Sequence, residues 1–175
     1  PQLLVQSVEV PTPSSLEVSI RADRANGTYA VGEAIRLSVQ ASKAAYFEVV
    51  AIGPTGNAVQ VYPNALQPSE LIAAGTVLEI PGADGRSEIL ATPPAGLELI
   101  RVIASTAPFA ELPDEERVPS GPFEIISGGA EIVARDLQQR VAESDEIAFG
   151  DTYVMTVLDP LVVGDLSIPI TDDVL

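Results

Sequence analysis

The 175-residue chain contains no cysteine, no histidine and no tryptophan, and a single lysine, Lys43. Each absence removes chemistry. Without imidazole or thiolate there is no Ser-His-Asp or Cys-His nucleophilic centre and no ordinary zinc site. Without cysteine, neither redox compartment is indicated. A serine–lysine dyad would have to use Lys43, whose neighbour is Ser42, and adjacent residues on a strand point to opposite faces. Aromatic residues make up only 5% of the chain, so a tryptophan platform for sugars is missing. Basic residues are scarce as well: 9 against 25 acidic ones, a net charge of −16. Such a surface repels phosphate backbones and anionic headgroups, which argues against nucleic-acid partners and against membrane attachment through a basic patch. No apolar run approaches the roughly 20 residues that span a bilayer. No phosphate loop is present, since GGAE at 128–131 lacks the lysine and the spacing of one.

What is present suits one domain. The apolar fraction is 46%, enough for a core. The chain opens on Pro1 rather than Met, and the expectation is a fragment or a processed form. Residues 1–15, PQLLVQSVEVPTPSS, read as a lead-in. LLVQSVEV is either an edge strand or part of a segment whose partner lies elsewhere, and PTPSS is linker chemistry.

From Leu16 the apolar period becomes two. Leu16, Val18 and Ile20 alternate with polar residues, and so do Ile35, Leu37 and Val39, which predicts half-buried strands. Ala45–Gly53 and Leu97–Ser105 are apolar on both faces and read as central strands. Pro54 and Gly56 shape a hairpin turn, after which AVQVY returns. Pro63 has no N–H for the ladder, so Tyr62-Pro63-Asn64 reads as a strand terminator with an aromatic lid rather than a ligand contact. TVLEIP, SEILA and FEII are short strands. TAPFAELPDEERVPSGP reads as a solvated loop. Ala130, Val133, Ala134, Leu137 and Val141 fall on one face of a helix over about 129–143, which Ser127 is placed to cap. DTYVMTVL closes the domain. The expected fold is all-β: an antiparallel, immunoglobulin-like sandwich of about seven to nine strands over 16–158, with one late helix. Residues 159–175 form a tail that is an edge strand, packs across the domain, or runs toward a partner through LVV.

One stretch resembles a known family. GTYAVGEAIRLSVQASKAAYFEVVAIGPTGNAVQVYPN is similar to the bacterial domain of unknown function numbered 4384. Tyr29, Gly32 and Glu33 match its Tyr-x-x-Gly-Glu lead, and Tyr62, Pro63 and Asn64 match its aromatic-Pro-Asn terminator. AAGTVLEIP and PPAGLELIRVIAS resemble the stretches that follow, so the likeness runs from about Leu16 to Leu158. It implies a β-rich accessory domain, exported, envelope-associated or appended to signalling domains, and it supplies no catalytic residue.

Carboxylates are the remaining reactive groups. Glu48 is the only charge in AYFEVVAIG, and the cost of burying an unpaired carboxylate predicts that it faces water at a strand end or edge. PDEE at 113–116, GDT at 150–152 and TDD at 171–173 offer oxygens but lack the spacing of a calcium loop. The sequence therefore points to no catalytic residue, no cofactor and no metal. Three functional expectations follow. The first is a non-enzymatic interaction module of a bacterial envelope or secreted protein, binding another extracytoplasmic protein. The second is a small-ligand or glycan binder using the end loops 63–76 and 105–122. The third and weakest is a carboxylate-based hydrolase. The residues expected to contact a ligand or partner are Tyr62, Asn64, Phe109 and Tyr153.

Overall fold

A computed structural model describes residues 1–10 and 14–158. The expected tail strand, its LVV segment and the TDD oxygens lie outside the described residues. In chain order the elements are α1 (Gln2–Gln6), β1 (Val18–Ala22), β2 (Thr28–Ala30), β3 (Ala34–Ile35), β4 (Leu37–Ala41), β5 (Tyr46–Ile52), β6 (Ala58–Tyr62), β7 (Leu78–Ile80), β8 (Ile89–Leu90), β9 (Gly96–Ser105), a 3-10 turn (Asp114–Glu116), β10 (Arg117–Ser120), β11 (Phe123–Ile126), α2 (Gly129–Glu143) and β12 (Ile147–Val157). The molecule is mainly β, and the late helix falls where its periodicity placed it.

The body is a seven-stranded sheet ordered β10-β11-β6-β5-β9-β12-β2. The two strands read as covered on both faces, β5 and β9, are neighbours near its middle, paired antiparallel from Tyr46↔Ser105 to Ile52↔Leu99. One face packs against a three-stranded sheet, β1-β4-β7. That core holds Ile20, Leu37, Val39 and Ile80 from the small sheet, with Phe47, Val49, Val102 and Val154 from the large one. The other face packs against the helices through Val50, Ile52, Leu99 and Ile103, meeting Val133, Ala134 and Leu137 of α2 and Val5 of α1. The period-two and period-3.6 patterns therefore serve two cores, one on each side of a single sheet.

Four expectations change. The large sheet is mixed rather than wholly antiparallel, because β12 pairs parallel with the short edge strand β2. The opening residues form a helix and not an edge strand. Val5 and Val8 are buried, so the lead-in closes the second core. Part of the supposed solvated loop forms β10, which pairs with β11; Pro119 is tolerated because β10 is an edge strand. Finally, Ser127 does not cap α2. The N-cap is Gly128, with no side-chain cap, and both Gly128 and Gly129 have positive φ, +83° and +57°. The glycine pair lets the helix start press against the β5–β6 hairpin, where Ala130 N–H donates to Gly56 O at 2.9 Å. A Cβ on Gly129 would lie 2.2 Å from that same oxygen.

Candidate functional site

The two family signatures are structural corners. In the first, Tyr29 is fully buried, its hydroxyl donates to Asp23 at 2.6 Å, and burial with that bond pushes its phenol up to about 12. Glu33 Oε2 accepts Ala30 N–H at 2.8 Å and the Arg24 guanidinium at 2.5 Å, closing the turn that holds Gly32. In the second, the pairing of β5 with β6 shifts register, from Val50↔Gln60 to Val49↔Tyr62, so Val61 bulges out of the ladder. A bulge turns the following side chain to the other face, and Val61 and Tyr62 both enter the core beneath the small sheet. Asn64 is buried. Its amide donates to Val61 O at 2.8 Å, and its carbonyl accepts Leu66 N–H and Gln67 N–H at 3.0 and 2.9 Å. The reading of Tyr62-Pro63-Asn64 as a strand terminator stands.

The four residues expected at a contact site do not converge. Tyr62 and Asn64 are buried at the corner. Phe109 packs on the opposite, helix-side face of the large sheet. Tyr153 sits on β12, bonded to Gln6 of α1 and 41% exposed. The bulge at Val61 is the cause: it sends Tyr62 away from the face that carries Phe109.

The principal surprise is Glu48. It faces neither water nor a strand edge. It lies in the middle of the sheet with its side chain 8% exposed, and its Oε2 accepts from Arg140 Nη1 at 2.7 Å. Arg140 projects from α2, and its Nε lies 2.7 Å from Asp136 Oδ2. The guanidinium also stacks 4.7 Å from the centre of the Phe109 ring, and its Nη2 donates to Ala110 O at 3.3 Å. Burial pushes the carboxyls of both Glu48 and Asp136 above their ordinary values, while Arg140 draws them back down. Two enclosed carboxylates thus share one cation. The sequence carried a signal, since Arg140 lies three residues beyond Leu137 on the apolar stripe of the helix. A buried arginine on that stripe asks for a buried acid.

A cavity of about 80 Å³ opens beside this cluster. Its lining includes Glu48, Gln60, Ser69, Phe109, Glu111 and Arg117, so it lies between the two end loops. Glu48 Oε1 accepts no hydrogen bond among the described residues.

Other polar clusters are internally matched. Arg101, buried in β9, holds Asp151 through two bonds of 2.8 and 2.9 Å. It also donates to the carbonyls of Val5 and Val8 at 2.7 and 3.2 Å, fastening the N-terminal segment to the sheet. In the PDEE stretch, Asp114 pairs with Arg117 and Glu116 with Arg135. Ser42 accepts Glu17 N–H and leaves Lys43 to Ser15 and Glu146, each at 2.6 Å. Ser15 in turn donates to Glu146 at 2.9 Å. A lysine that donates to a serine oxygen takes no proton from it, so this is a surface ion pair. Among the described residues no group of three acidic side chains is disposed to hold a metal, and no helix is long and apolar enough to cross a membrane.

Large apolar side chains also lie open on the helix-side face. Leu97 and Met155 are cross-strand partners on β9 and β12, 41% and 37% exposed, and Tyr153 adjoins Met155 on the same face. Gln2 of α1 donates to Leu97 O at 2.6 Å, so α1 borders this strip.

Residues 28–108 match the family model described as Domain of unknown function (DUF4384). The match runs from β2 through β9 and is narrower than the expected extent of Leu16 to Leu158. It includes Glu48 and Leu97 and leaves out Phe109, Arg140, Tyr153 and Met155. No curated protein matches the chain.

Proposed function

We propose that the chain is a non-enzymatic accessory module, with an immunoglobulin-like sandwich as its body, of a bacterial envelope or secreted protein, and that it works by contact with another extracytoplasmic protein. The observation that carries this reading is the exposed strip of Leu97, Met155 and Tyr153. Single exposed apolar residues are ordinary, whereas a contiguous group marks a contact surface. Tyrosine and methionine are enriched in such surfaces. The net charge of −16 favours a partner whose rim is basic. The missing imidazole and thiol, and the engagement of Asp114, Glu116 and Asp151 by arginines, support a surface role over a reactive centre.

The test is capture from a bacterial envelope extract with the wild-type chain and with the double variant L97D/M155D. These positions are already solvated, so both chains should give the same circular dichroism and melting profile. The expected result is a protein retained by the wild type and lost by the double variant. Equal capture by both, or glycan-array binding with no captured protein, defeats the proposal.

A second reading, small-ligand or glycan binding through the end loops, is favoured by one specific feature. The cavity beside Glu48 is walled by Pro63 and Ser69 from one of those loops and by Phe109 to Leu112 from the other.

A further inference from the structure

We propose that the cavity beside Glu48 is a binding site for an alkylammonium head group, of the kind carried by a lysine side chain or a free aliphatic amine. This rests on the small-ligand reading and is independent of the apolar strip.

Charge comes first. Glu48 and Asp136 share Arg140. At the cavity wall Arg117 is met by Glu111, Asp114 and Glu124. Five carboxylates therefore surround two guanidinium groups, and the deficit is one of cation. Solvation relieves the outer members: the side chains of Glu111 and Asp114 are 82% and 95% exposed. It does not relieve Glu48 at 8%. Its unbonded oxygen is not among the fully buried unpartnered atoms, so it is open to a donor from the cavity, which would satisfy it.

The donor pattern comes next. Among the lining residues, Glu48 Oε1, the Ser69 hydroxyl and Gln60 Oε1 accept from no described group, and the buried Arg117 Nε is an unmatched donor on the same wall. The Gln60 amide nitrogen is already committed to Pro63 O at 3.0 Å. An ammonium carries three donors and no acceptor, which suits three acceptors in a small space. A guanidinium has five donors in a wide planar fork and would leave some unmet. A carboxylate or phosphate would add charge of the wrong sign.

Size and walls agree. About 80 Å³ admits a few water molecules or the tip of one side chain, and not a sugar ring with its hydroxyls. Pro63, Phe109 and Leu112 supply hydrocarbon against which methylenes lie while the charged tip reaches Glu48.

The experiment is an NMR titration of the intact chain, following the Phe109 ring, the Ser69 amide and the Glu48 side-chain carboxyl carbon. The probes are n-butylammonium, a doubly blocked Gly-Lys-Gly peptide, tetramethylammonium, which has no N–H, and two neutral probes, acetamide and a methyl glycoside. Saturable shifts with n-butylammonium and none with tetramethylammonium are expected. E48Q is expected to weaken binding at least about tenfold, the loss of one charge-assisted hydrogen bond. S69A, a change at the cavity wall that leaves the Arg140 cluster intact, should weaken it by a smaller factor and keeps the test valid should E48Q fold poorly. Binding of the peptide as well as the amine assigns the site to a protein lysine; binding of the amine alone assigns it to a free amine. Equal shifts with tetramethylammonium, or unchanged affinity in folded E48Q or in S69A, overturn the proposal. If only a neutral probe saturates the site, the ammonium assignment falls and the small-ligand reading stands. If no probe saturates it, both fall.

Discussion

At the scale of single residues, Glu48 shows how a carboxylate survives inside a sheet. Its position in a run of apolar residues suggested an edge, because an unpaired buried charge is expensive. The charge is in fact paired, by an arginine 92 positions away. Removing Arg140 would strand Glu48 and Asp136 together. R140A is therefore expected to lose about 3–5 kcal/mol of unfolding free energy, read from denaturant midpoints at neutral pH. The cluster also carries a pH signature. Burial raises both carboxyls above their ordinary values, against the pull of Arg140, so the folded state holds these protons more tightly than the unfolded state does. Their stabilisation is complete below the unfolded values and is lost as pH rises through the folded ones. The melting temperature of the wild type should therefore rise as pH falls from 8 toward 5, and E48Q should show a shallower rise. Parallel profiles for the two proteins would contradict this account.

At the scale of elements, the junction between α2 and the β5–β6 hairpin fixes how the helical layer sits. Two glycines with positive φ replace a side-chain cap, and one first-turn amide, that of Ala130, meets Gly56 O rather than a serine. G129A forces a methyl group against a backbone oxygen at 2.2 Å and strains φ as well. It is expected to cost more than the roughly 1–3 kcal/mol of a strained backbone residue alone, measured by urea unfolding. G32A, whose added methyl meets nothing within 4 Å, isolates the strain from the clash. Similar losses in both variants would show that the hairpin contact is unimportant. The N-terminal helix makes a related point. Its composition suggested an edge strand or part of a segment whose partner lies elsewhere, yet Arg101 gathers the carbonyls of Val5 and Val8 and seats them on the sheet.

At the scale of the whole molecule, the family stretch and the folded unit are different objects. Residues 28–108 contain the middle of the large sheet and most of the small one, but not β1, β12 or either helix. Without β12 the outer edge of β9 is unpaired over ten register positions. Without the helices, Val50, Ile52, Leu99 and Ile103 face water. A 28–108 fragment should therefore be poorly dispersed by NMR and melt without a cooperative transition, whereas the full chain melts as one unit. A cooperative melt of the fragment would mean that the small-sheet core suffices. Both candidate contact regions join family residues to residues outside the matched stretch: Glu48 with Phe109, and Leu97 with Met155.

The sequence alone determined the mainly β character, the central place of β5 and β9, the span of α2, the Tyr62-Pro63-Asn64 corner and the family resemblance of residues 28–108. Each of these is written in local terms: a period of two or of 3.6, a proline without an N–H, a motif in order. Only the tertiary structure decided which face each residue serves. One bulged residue at Val61 separated Tyr62 from Phe109, a distant arginine made Glu48 a buried acid, and a parallel pairing closed the sheet edge at β2. Those outcomes depend on register and on partners far along the chain, and local patterning fixes neither: Arg140 on the helix stripe asks for a buried acid without saying which.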